Sequence, residues 1–168
     1  MKKTLPYLTL IVALALVAAS CSKDNRNVPV QILLTDNPAT FDSVNVHIQS
    51  VRVKMNSEEG GWISLHSKDT TVNLLDLQNG TTTLIANDTI PAGTLKEVRF
   101  ILGDGNYVVA NGTRYALSTP SAEDSGLKIK IDKHLGETLN SFTLDFDAAL
   151  SIKEENGSYK LMPVIKLK

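Results

Sequence analysis

The chain has 168 residues with 17 basic and 18 acidic side chains, so its formal net charge is −1 at pH 7. This length suits one domain that buries its own core. The near-neutral charge, without a basic run or a stripe of basic and aromatic residues, excludes the usual nucleic-acid-binding surface, and the single cysteine, Cys21, excludes a fold held by internal disulfides.

Residues 1–20 show the three parts of a signal peptide, which are a basic start, a short apolar run and small residues before the cleavage point. Lys2 and Lys3 form the basic start, and residues 8–19 form the apolar run. The small residues lead directly into Cys21, an arrangement that resembles the bacterial lipobox. The resemblance implies cleavage before Cys21 and acylation of its thiol, so we expect a lipid anchor in the membrane.

Two other interpretations of this segment are open at the level of sequence. A transmembrane helix needs about 20 apolar residues, and the run here is shorter. A plain secretory signal with an incidental cysteine is the second alternative, but a lone cysteine favours acylation over disulfide bonding. Ala18 stands where a lipobox usually has a large aliphatic residue, as in the looser form typical of Bacteroidetes lipoproteins.

We expect residues 21–27 to form an acylated tether and residues 28–168 to form the folded domain. Removal of residues 1–20 leaves 148 residues with 15 basic and 18 acidic side chains, and hence a formal charge of −3. The Ser-Lys-Asp-Asn segment at 22–25 resembles the export signal of Bacteroidetes surface lipoproteins. We therefore expect the chain on the outer membrane, at the cell surface rather than on the periplasmic face.

From Val28 onward the pattern is β almost throughout. Val30, Ile32 and Leu34 occupy every second position, which is the strand period. The Thr-Asp-Asn-Pro-Ala segment at 35–39 then predicts a turn, because Asp and Asn cap turns and proline lacks an N–H donor.

Residues 43–55 predict a long strand that contains a β-bulge. Two apolar sets in this segment are out of phase with each other: Val44, Val46 and Ile48, and then Val51, Val53 and Met55. A strand of period two can keep both sets inward only if one residue is inserted between them. We therefore predict a bulge near Gln49–Ser50.

Further short strands follow, separated by turn signals. They are predicted at residues 62–65, 82–85, 94–102, 107–110, 114–117, 127–131 and 158–167, whereas residues 72–77 fit either a strand or a helical turn. Polar loops are predicted at 57–61 and 118–126, and Gly103–Asn106 reads as a tight hairpin turn. Pro163 cannot donate to a ladder, so the last strand should lie at an edge or a bulge.

Residues 142–152 give the longest unbroken alternation in the chain. The apolar positions are Phe142, Leu144, Phe146, Ala148, Leu150 and Ile152. We predict one central core strand over this whole segment. With about ten strands and no long helix after residue 21, the sequence predicts an all-β domain, an antiparallel β-sandwich.

Several segments, taken in order, resemble one family of bacterial envelope lipoproteins, the domain of unknown function 4382. They are Leu-Leu-Thr-Asp-Asn-Pro at 33–38, the segments 72–80 and 90–102, Thr-Pro-Ser at 119–121, and the segments 145–152 and 161–166. The likeness spans about residues 28–167. It implies a compact β-sandwich in a Bacteroidetes-type envelope lipoprotein and supplies no catalytic residue. The Ile-Pro-Ala-Gly segment at 90–93 also resembles immunoglobulin-like and transthyretin-like sandwiches.

Asp145 and Asp147 are the most prominent candidates for chemistry. On one continuous strand they would share a face about 7 Å apart, as in a calcium site or a pair of glycosidase carboxylates. The alternative is a structural ion pair of one or both with Arg99, whose strand also carries the apolar Ile101, or a position on a solvated sheet face. We favour the alternative, and we expect no metal and no cofactor.

Trp62, Tyr107 and Tyr115 are candidates for a ligand platform, because flat aromatic faces stack on sugar rings. Core or edge packing of Trp62 is the alternative. The histidines, His47, His66 and His134, lie in no motif for metal ligation or nucleophilic catalysis.

The sequence therefore predicts a lipid-anchored binding module of the cell envelope without catalytic activity. Its partner would be a glycan or an envelope protein, and membrane contact would come through Cys21. The alternative is a structural accessory subunit of an envelope or fimbrial assembly, which would engage partners through a sheet edge.

Overall fold

The computed structural model describes residues 26–55, 61–120 and 126–168. The predicted signal peptide, Cys21 and most of the predicted tether lie outside the described residues, as do parts of the loops predicted at 57–61 and 118–126. No helix in the described ranges has the length and apolar character needed to span a membrane.

The described residues form fourteen strands, a 3-10 helix at Leu74–Leu77 and a short α-helix, α1, at Ala148–Ser151. The strands are β1 (Asn27–Thr35), β2 (Ser43–Met55), β3 (Trp62–Ser64), β4 (His66–Ser67), β5 (Thr70–Asn73), β6 (Thr83–Pro91), β7 (Thr94–Leu102), β8 (Tyr107–Ala110), β9 (Thr113–Ser118), β10 (Leu127–His134), β11 (Asn140–Phe146), β12 (Ile152–Glu155), β13 (Ser158–Leu161) and β14 (Ile165–Leu167). The prediction of about ten was too low, because strands as short as β4 show no alternation in the sequence.

The strands form two sheets around one core, so the predicted all-β sandwich is confirmed. The smaller sheet has the strand order β14-β11-β1-β6-β4. The larger sheet has the order β10-β7-β2-β8-β9-β13-β12, and β3 and β5 also pair with β2. The core between the two sheets includes Ile32, Leu34, Leu144 and Phe146 of the smaller sheet and Phe100 of the larger sheet, all fully buried.

The sheets are mostly antiparallel, as predicted, but two strand pairs are parallel. β1 runs parallel to β11, with Val30 opposite Asn140, and β13 runs parallel to β9. Parallel neighbours cannot be joined by a tight hairpin, so these pairings depend on long connections that local turn signals do not reveal. The immunoglobulin-like or transthyretin-like character stays a prediction.

The predicted bulge in β2 is confirmed. The register of β2 against β7 shifts between Ile48 and Ser50. Before the shift the even-numbered residues point to the core, and after it Val51 and Val53 do, all of them buried. The inserted residue therefore turns Arg52 and Lys54 outward on the same strand.

The predicted continuous strand over residues 142–152 was wrong. β11 ends at Phe146, and α1 follows with Asp147 as its N-cap, whose side chain accepts a hydrogen bond from the Leu150 N–H at 3.0 Å. Leu150 is consequently 53% exposed rather than buried. An aspartate at an N-cap satisfies an otherwise unpaired helix N–H, and this local gain interrupts the alternation.

Candidate binding face of the larger sheet

The outer side of the larger sheet carries a lateral row of three cations. Arg52 on β2 lies opposite Arg99 on β7, and Arg99 lies opposite Lys128 on β10. Neighbouring strands are about 4.8 Å apart, so the row places one positive charge on each of three adjacent strands. Arg52 and Lys128 are exposed, and Arg99 is half-buried.

A second row lies two residues further along the same strands. Lys54 is opposite Glu97, and Glu97 is opposite Lys130. The two rows together hold five cations and one carboxylate. In the part of the chain that the structure describes, no carboxylate lies within ion-pair distance of these five cations.

Trp62 completes this surface. It begins β3 opposite Lys54, and the Arg99 guanidinium carbon lies 3.8 Å from the centroid of its ring. Since β3 and β7 pair with opposite edges of β2, the contact crosses β2 on the outer side. A cation–π contact of this kind contributes about 0.5–2 kcal/mol. We call the surface formed by Trp62, Arg52, Lys54, Arg99, Lys128 and Lys130 the basic face.

Arg99 is closely surrounded on this face, and its Nε is buried without a hydrogen-bond partner. Gly126, directly before β10, has a φ of +69°. A Cβ added at Gly126 would lie 3.1 Å from Arg99 Cγ and 2.6 Å from the Phe100 carbonyl oxygen. A side chain at residue 126 would push β10 away from β7, so glycine there permits the register that places Lys128 beside Arg99.

The three residues predicted as one aromatic platform are not brought together. Tyr107 lies on the same side of the sheet as Trp62, but it is opposite Asn45 whereas Trp62 is opposite Lys54. Nine residues along β2 separate the two rings by about 30 Å. Tyr115 points to the other side of the sheet, where its ring centroid is 4.8 Å from that of Tyr159.

The predicted ion pair of Arg99 with Asp145 or Asp147 is not brought together either. Arg99 lies on the larger sheet, whereas Asp145 lies on β11 of the smaller sheet, where Lys166 Nζ is 3.6 Å from its Oδ2. Asp147 is the cap of α1 and accepts a hydrogen bond from Asn37 Nδ2 at 3.1 Å. The two carboxylates also have different roles. β11, which was predicted to carry both, ends at Phe146, between them.

The family model described as Domain of unknown function (DUF4382) matches residues 27–163. The chain belongs to this family. No curated protein and no solved structure matches the chain in the corresponding comparisons. All residues of the basic face lie within the matched part of this DUF4382 chain.

Asp36 is a buried carboxyl at the end of β1 in this DUF4382 domain. It is 2% exposed, and burial raises its pKa to about 6, against the lowering effect of the hydrogen bond that its Oδ1 accepts from the Ala148 N–H at 2.8 Å. The Gln78 amide lowers the pKa by a smaller amount, although its Nε2 has no partner with good hydrogen-bond geometry. Asp36 thus ties the end of β1 to α1, which is more than the local turn cap that the sequence suggested.

The described residues contain no group of three or more His, Cys, Asp or Glu side chains placed to hold a metal ion. A pocket of about 500 Å³ lies beside the start of β1, and its titratable lining is Arg26, His134 and Glu137. Glu137 contacts Arg26 as an ion pair.

His47 has structural contacts that the sequence did not indicate. Its Nε2 contacts Asp69, and its Nδ1 lies 3.0 Å from the Asp104 carbonyl oxygen. The hydrogen bond with Asp69, followed by that with Asp104, raises the pKa of His47. The ring packs on Gly103, where an added Cβ would lie 2.3 Å from Nδ1. His47 therefore fixes the connection between β7 and β8, whereas His66 and His134 are exposed. β7 and β8 both pair with β2 and not with each other, so the hairpin predicted at Gly103–Asn106 was wrong.

Proposed function

We propose that this chain is a lipid-anchored, non-catalytic binding module of the bacterial envelope, and that the basic face binds an anionic glycan. The observation that carries the proposal is the lateral row Arg52–Arg99–Lys128, with the Trp62 ring packed on its central guanidinium.

The charge of the face argues for an anionic ligand. Like charges directly opposite each other on neighbouring strands destabilise a sheet, and sequences break such local rules most often at functional sites. The expected mature chain has a net charge of −3, so five cations on one face are a local excess of the opposite sign. A face of one sign attracts ligands of the other and raises their association rate.

The shape of the face argues for a sugar chain. Trp62 offers an aromatic ring beside the cations, and an aromatic ring packs on the apolar side of a pyranose. The cations repeat at the strand spacing of about 4.8 Å, which is close to the length of one sugar unit. A flat sheet surface also fits an extended polymer better than a small molecule, which prefers a concave pocket. A glycan with carboxylate, sulfate or phosphate groups has both properties.

The location rests on the amino-terminal sequence. The apolar run before Cys21 and the small residues next to it support acylation. One fatty acyl chain gives only weak membrane binding, so the diacylglycerol of a bacterial lipoprotein would supply the additional chains needed for a stable anchor. We propose the outer membrane, with the domain at the cell surface. Replacing Cys21 with Ala should abolish labelling of the protein by metabolic palmitate and release it from the membrane fraction. Labelling that persists in this variant would contradict the anchor.

Glycan binding is tested with the domain starting at Ser22, first on a glycan array and then by calorimetry with polygalacturonate, dextran sulfate and neutral dextran. We expect the two polyanions to bind and neutral dextran not to bind, with an affinity that falls as salt is added. Trp62→Ala should weaken polyanion binding about tenfold, because it removes the ring and frees Arg99.

The matched control is Lys153→Gln, an exposed lysine on β12 at the far end of the same sheet. It should bind like the parent protein, whereas Arg52→Gln should bind about tenfold more weakly. Equal loss in both variants would mean that net charge alone drives binding. Tighter binding of single-stranded DNA than of any polyanionic glycan would assign the basic face to nucleic acid and contradict the proposal.

A further inference from the structure

The free edge of β10 borders an apolar groove. β10 pairs with β7 along one edge, and no strand of the described residues pairs with its other edge. A groove of about 360 Å³ runs beside that edge, with Leu127 and Ile129 on one side and Met162, Pro163 and Ile165 on the other. We call it the edge groove.

Met162 of this groove is one of three exposed apolar side chains on two segments that are hydrogen-bonded to each other. Three of the five large hydrophobic residues that are exposed within the described ranges are Leu150, Met162 and Val164, at 53%, 50% and 40%. They are held together by the buried Ser151, whose carbonyl oxygen accepts a hydrogen bond from the Met162 N–H and whose Oγ accepts one from the Val164 N–H, both at 2.8 Å. The patch is therefore a fixed feature of the fold, and exposed apolar patches mark interaction sites.

A strand added to the free edge of β10 would have two chemically different sides. On the outer side its residues would lie next to Lys128 and Lys130, which are exposed. On the inner side they would lie next to the apolar floor formed by Met162 and its neighbours. Because successive residues of a strand point to opposite sides, complementarity on both sides requires acidic and apolar residues in alternation.

We propose that the edge groove binds an extended polypeptide segment in which acidic and apolar residues alternate, by adding it as a strand to β10. Strand addition supplies affinity through backbone hydrogen bonds and specificity through alternate side chains. Lysines on an edge strand protect it from pairing with other edges; here they select an acidic partner. The site is separate from the contacts of Trp62 and Arg52 with a glycan, although the two lysines border both surfaces.

The test uses the detergent-solubilised mature protein and labelled eight-residue peptides. One peptide alternates Glu and Val, one has the same composition in blocks, and one alternates Lys and Val. We expect the Glu/Val alternating peptide to bind, with slower amide hydrogen exchange at Leu127–Ile131, and the other two to bind at least about tenfold more weakly. Equal binding of the blocked peptide, or no binding and no change in exchange, would overturn the proposal.

Met162→Asp places a like charge in the path of the peptide and should weaken binding about tenfold, and Val164→Asp is a second variant in case the first alters folding. The control is Leu139→Asp, since Leu139 is 55% exposed and lies outside the edge groove. Arg52→Gln should change the affinity for the peptide by less than about twofold. This variant therefore separates peptide binding at the edge groove from glycan binding at the basic face. Concentration-dependent dimerisation that protects the same amides without peptide would assign the edge to a second copy instead.

Discussion

The outer sides of the two sheets follow the same alternation but have opposite chemistry. On the smaller sheet, Gln31 lies opposite Ser141 on one side and Asn87 on the other, and its Nε2 donates a hydrogen bond to Ser141 Oγ at 3.0 Å. On the larger sheet, the corresponding lateral row is three cations. Neutral polar neighbours satisfy each other, whereas neighbouring cations repel and would be stabilised by an anion bound between them. This difference supports the proposal that the ligand binds the larger sheet.

The largest expected effect comes from reversing the ends of the cationic row. Arg52→Glu combined with Lys128→Glu places a carboxylate on each side of Arg99. We expect polyanion binding to fall by about 100-fold, and the free energy of unfolding to rise by about 0.5–1 kcal/mol, because repulsion becomes attraction. Calorimetry and urea denaturation measure the two quantities.

The control for this variant is Lys68→Glu with Lys153→Glu, which changes the net charge by the same amount at two exposed positions away from the row. If both double variants lose binding equally, the face has no special role. If the first variant is strongly destabilised, the cations stabilise the sheet in a way that the lateral register does not reveal.

A second effect concerns the charge buried at the end of the smaller sheet. Asp36→Asn keeps an oxygen that can accept from the Ala148 N–H and removes the ionised form. The pKa of Asp36 is raised to about 6 from an ordinary value of 3.8. Protonation therefore favours the folded state, so stability contributed by this group is complete below pH 3.8 and is lost as the pH rises through about 6.

We expect Asp36→Asn to be more stable than the parent protein at neutral pH by on the order of 1–3 kcal/mol, with little difference near the ordinary pKa of the carboxyl. Urea denaturation across this pH range gives the comparison. A variant that is less stable at neutral pH would show that the ionised carboxylate is better satisfied than its burial suggests.

Much of this arrangement follows from the sequence. The out-of-phase apolar sets around Gln49 predicted the bulge, and the alternation of Lys128 and Lys130 with buried neighbours predicted a wet side of β10. The lateral neighbours did not follow, because periodicity fixes which side a residue faces but not which strands are adjacent or in which register. The row Arg52–Arg99–Lys128 joins three segments whose pairing depends on the whole topology.

The error at residues 142–152 has a different cause. The alternation there was regular, but Asp147 caps α1 and Ser151 accepts hydrogen bonds from the segment before β14. Local hydrogen bonds of Asp and Ser with the backbone compete with strand pairing. The parallel pairing of β1 with β11 was also inaccessible, since the two segments are far apart in the chain.

A smaller effect is expected at His47, which connects the outer side of the larger sheet to the loop between β7 and β8. Its pKa is raised, first by the hydrogen bond with Asp69. The stabilisation is therefore complete below the ordinary pKa of about 6.5 and is lost as the pH rises through the folded value. Because the side chain is 28% exposed, we expect His47→Asn to lose only about 0.5–1 kcal/mol at low pH and less at high pH.

Thermal unfolding of both proteins at several pH values measures this difference. Asp69→Asn should lose most of the same pH dependence of stability as His47→Asn, since it removes the first cause of the raised pKa of His47. A loss in His47→Asn that does not vary with pH would indicate that the ring acts through packing on Gly103 alone.

The smallest expected effects compare the two rows directly. A double-mutant cycle with Gln31→Ala and Ser141→Ala should give a favourable coupling of a few tenths of a kcal/mol, and a cycle with Arg52→Ala and Lys128→Ala should give an unfavourable coupling of similar size. Added salt should shrink only the second coupling. Couplings of the same sign on both sheets would remove the distinction on which the proposed function depends.

The bulge in β2 has a consequence for how this domain can change. Deleting Gln49 would reverse the sides to which the remaining residues of β2 point. Arg52 and Lys54 would then face the core, and Val51 and Val53 would face water. The polarity of this part of the surface thus depends on a residue that is not itself part of the basic face. Insertions or deletions at this one point would switch the domain between a charged and an apolar exterior, or more often simply prevent it from folding.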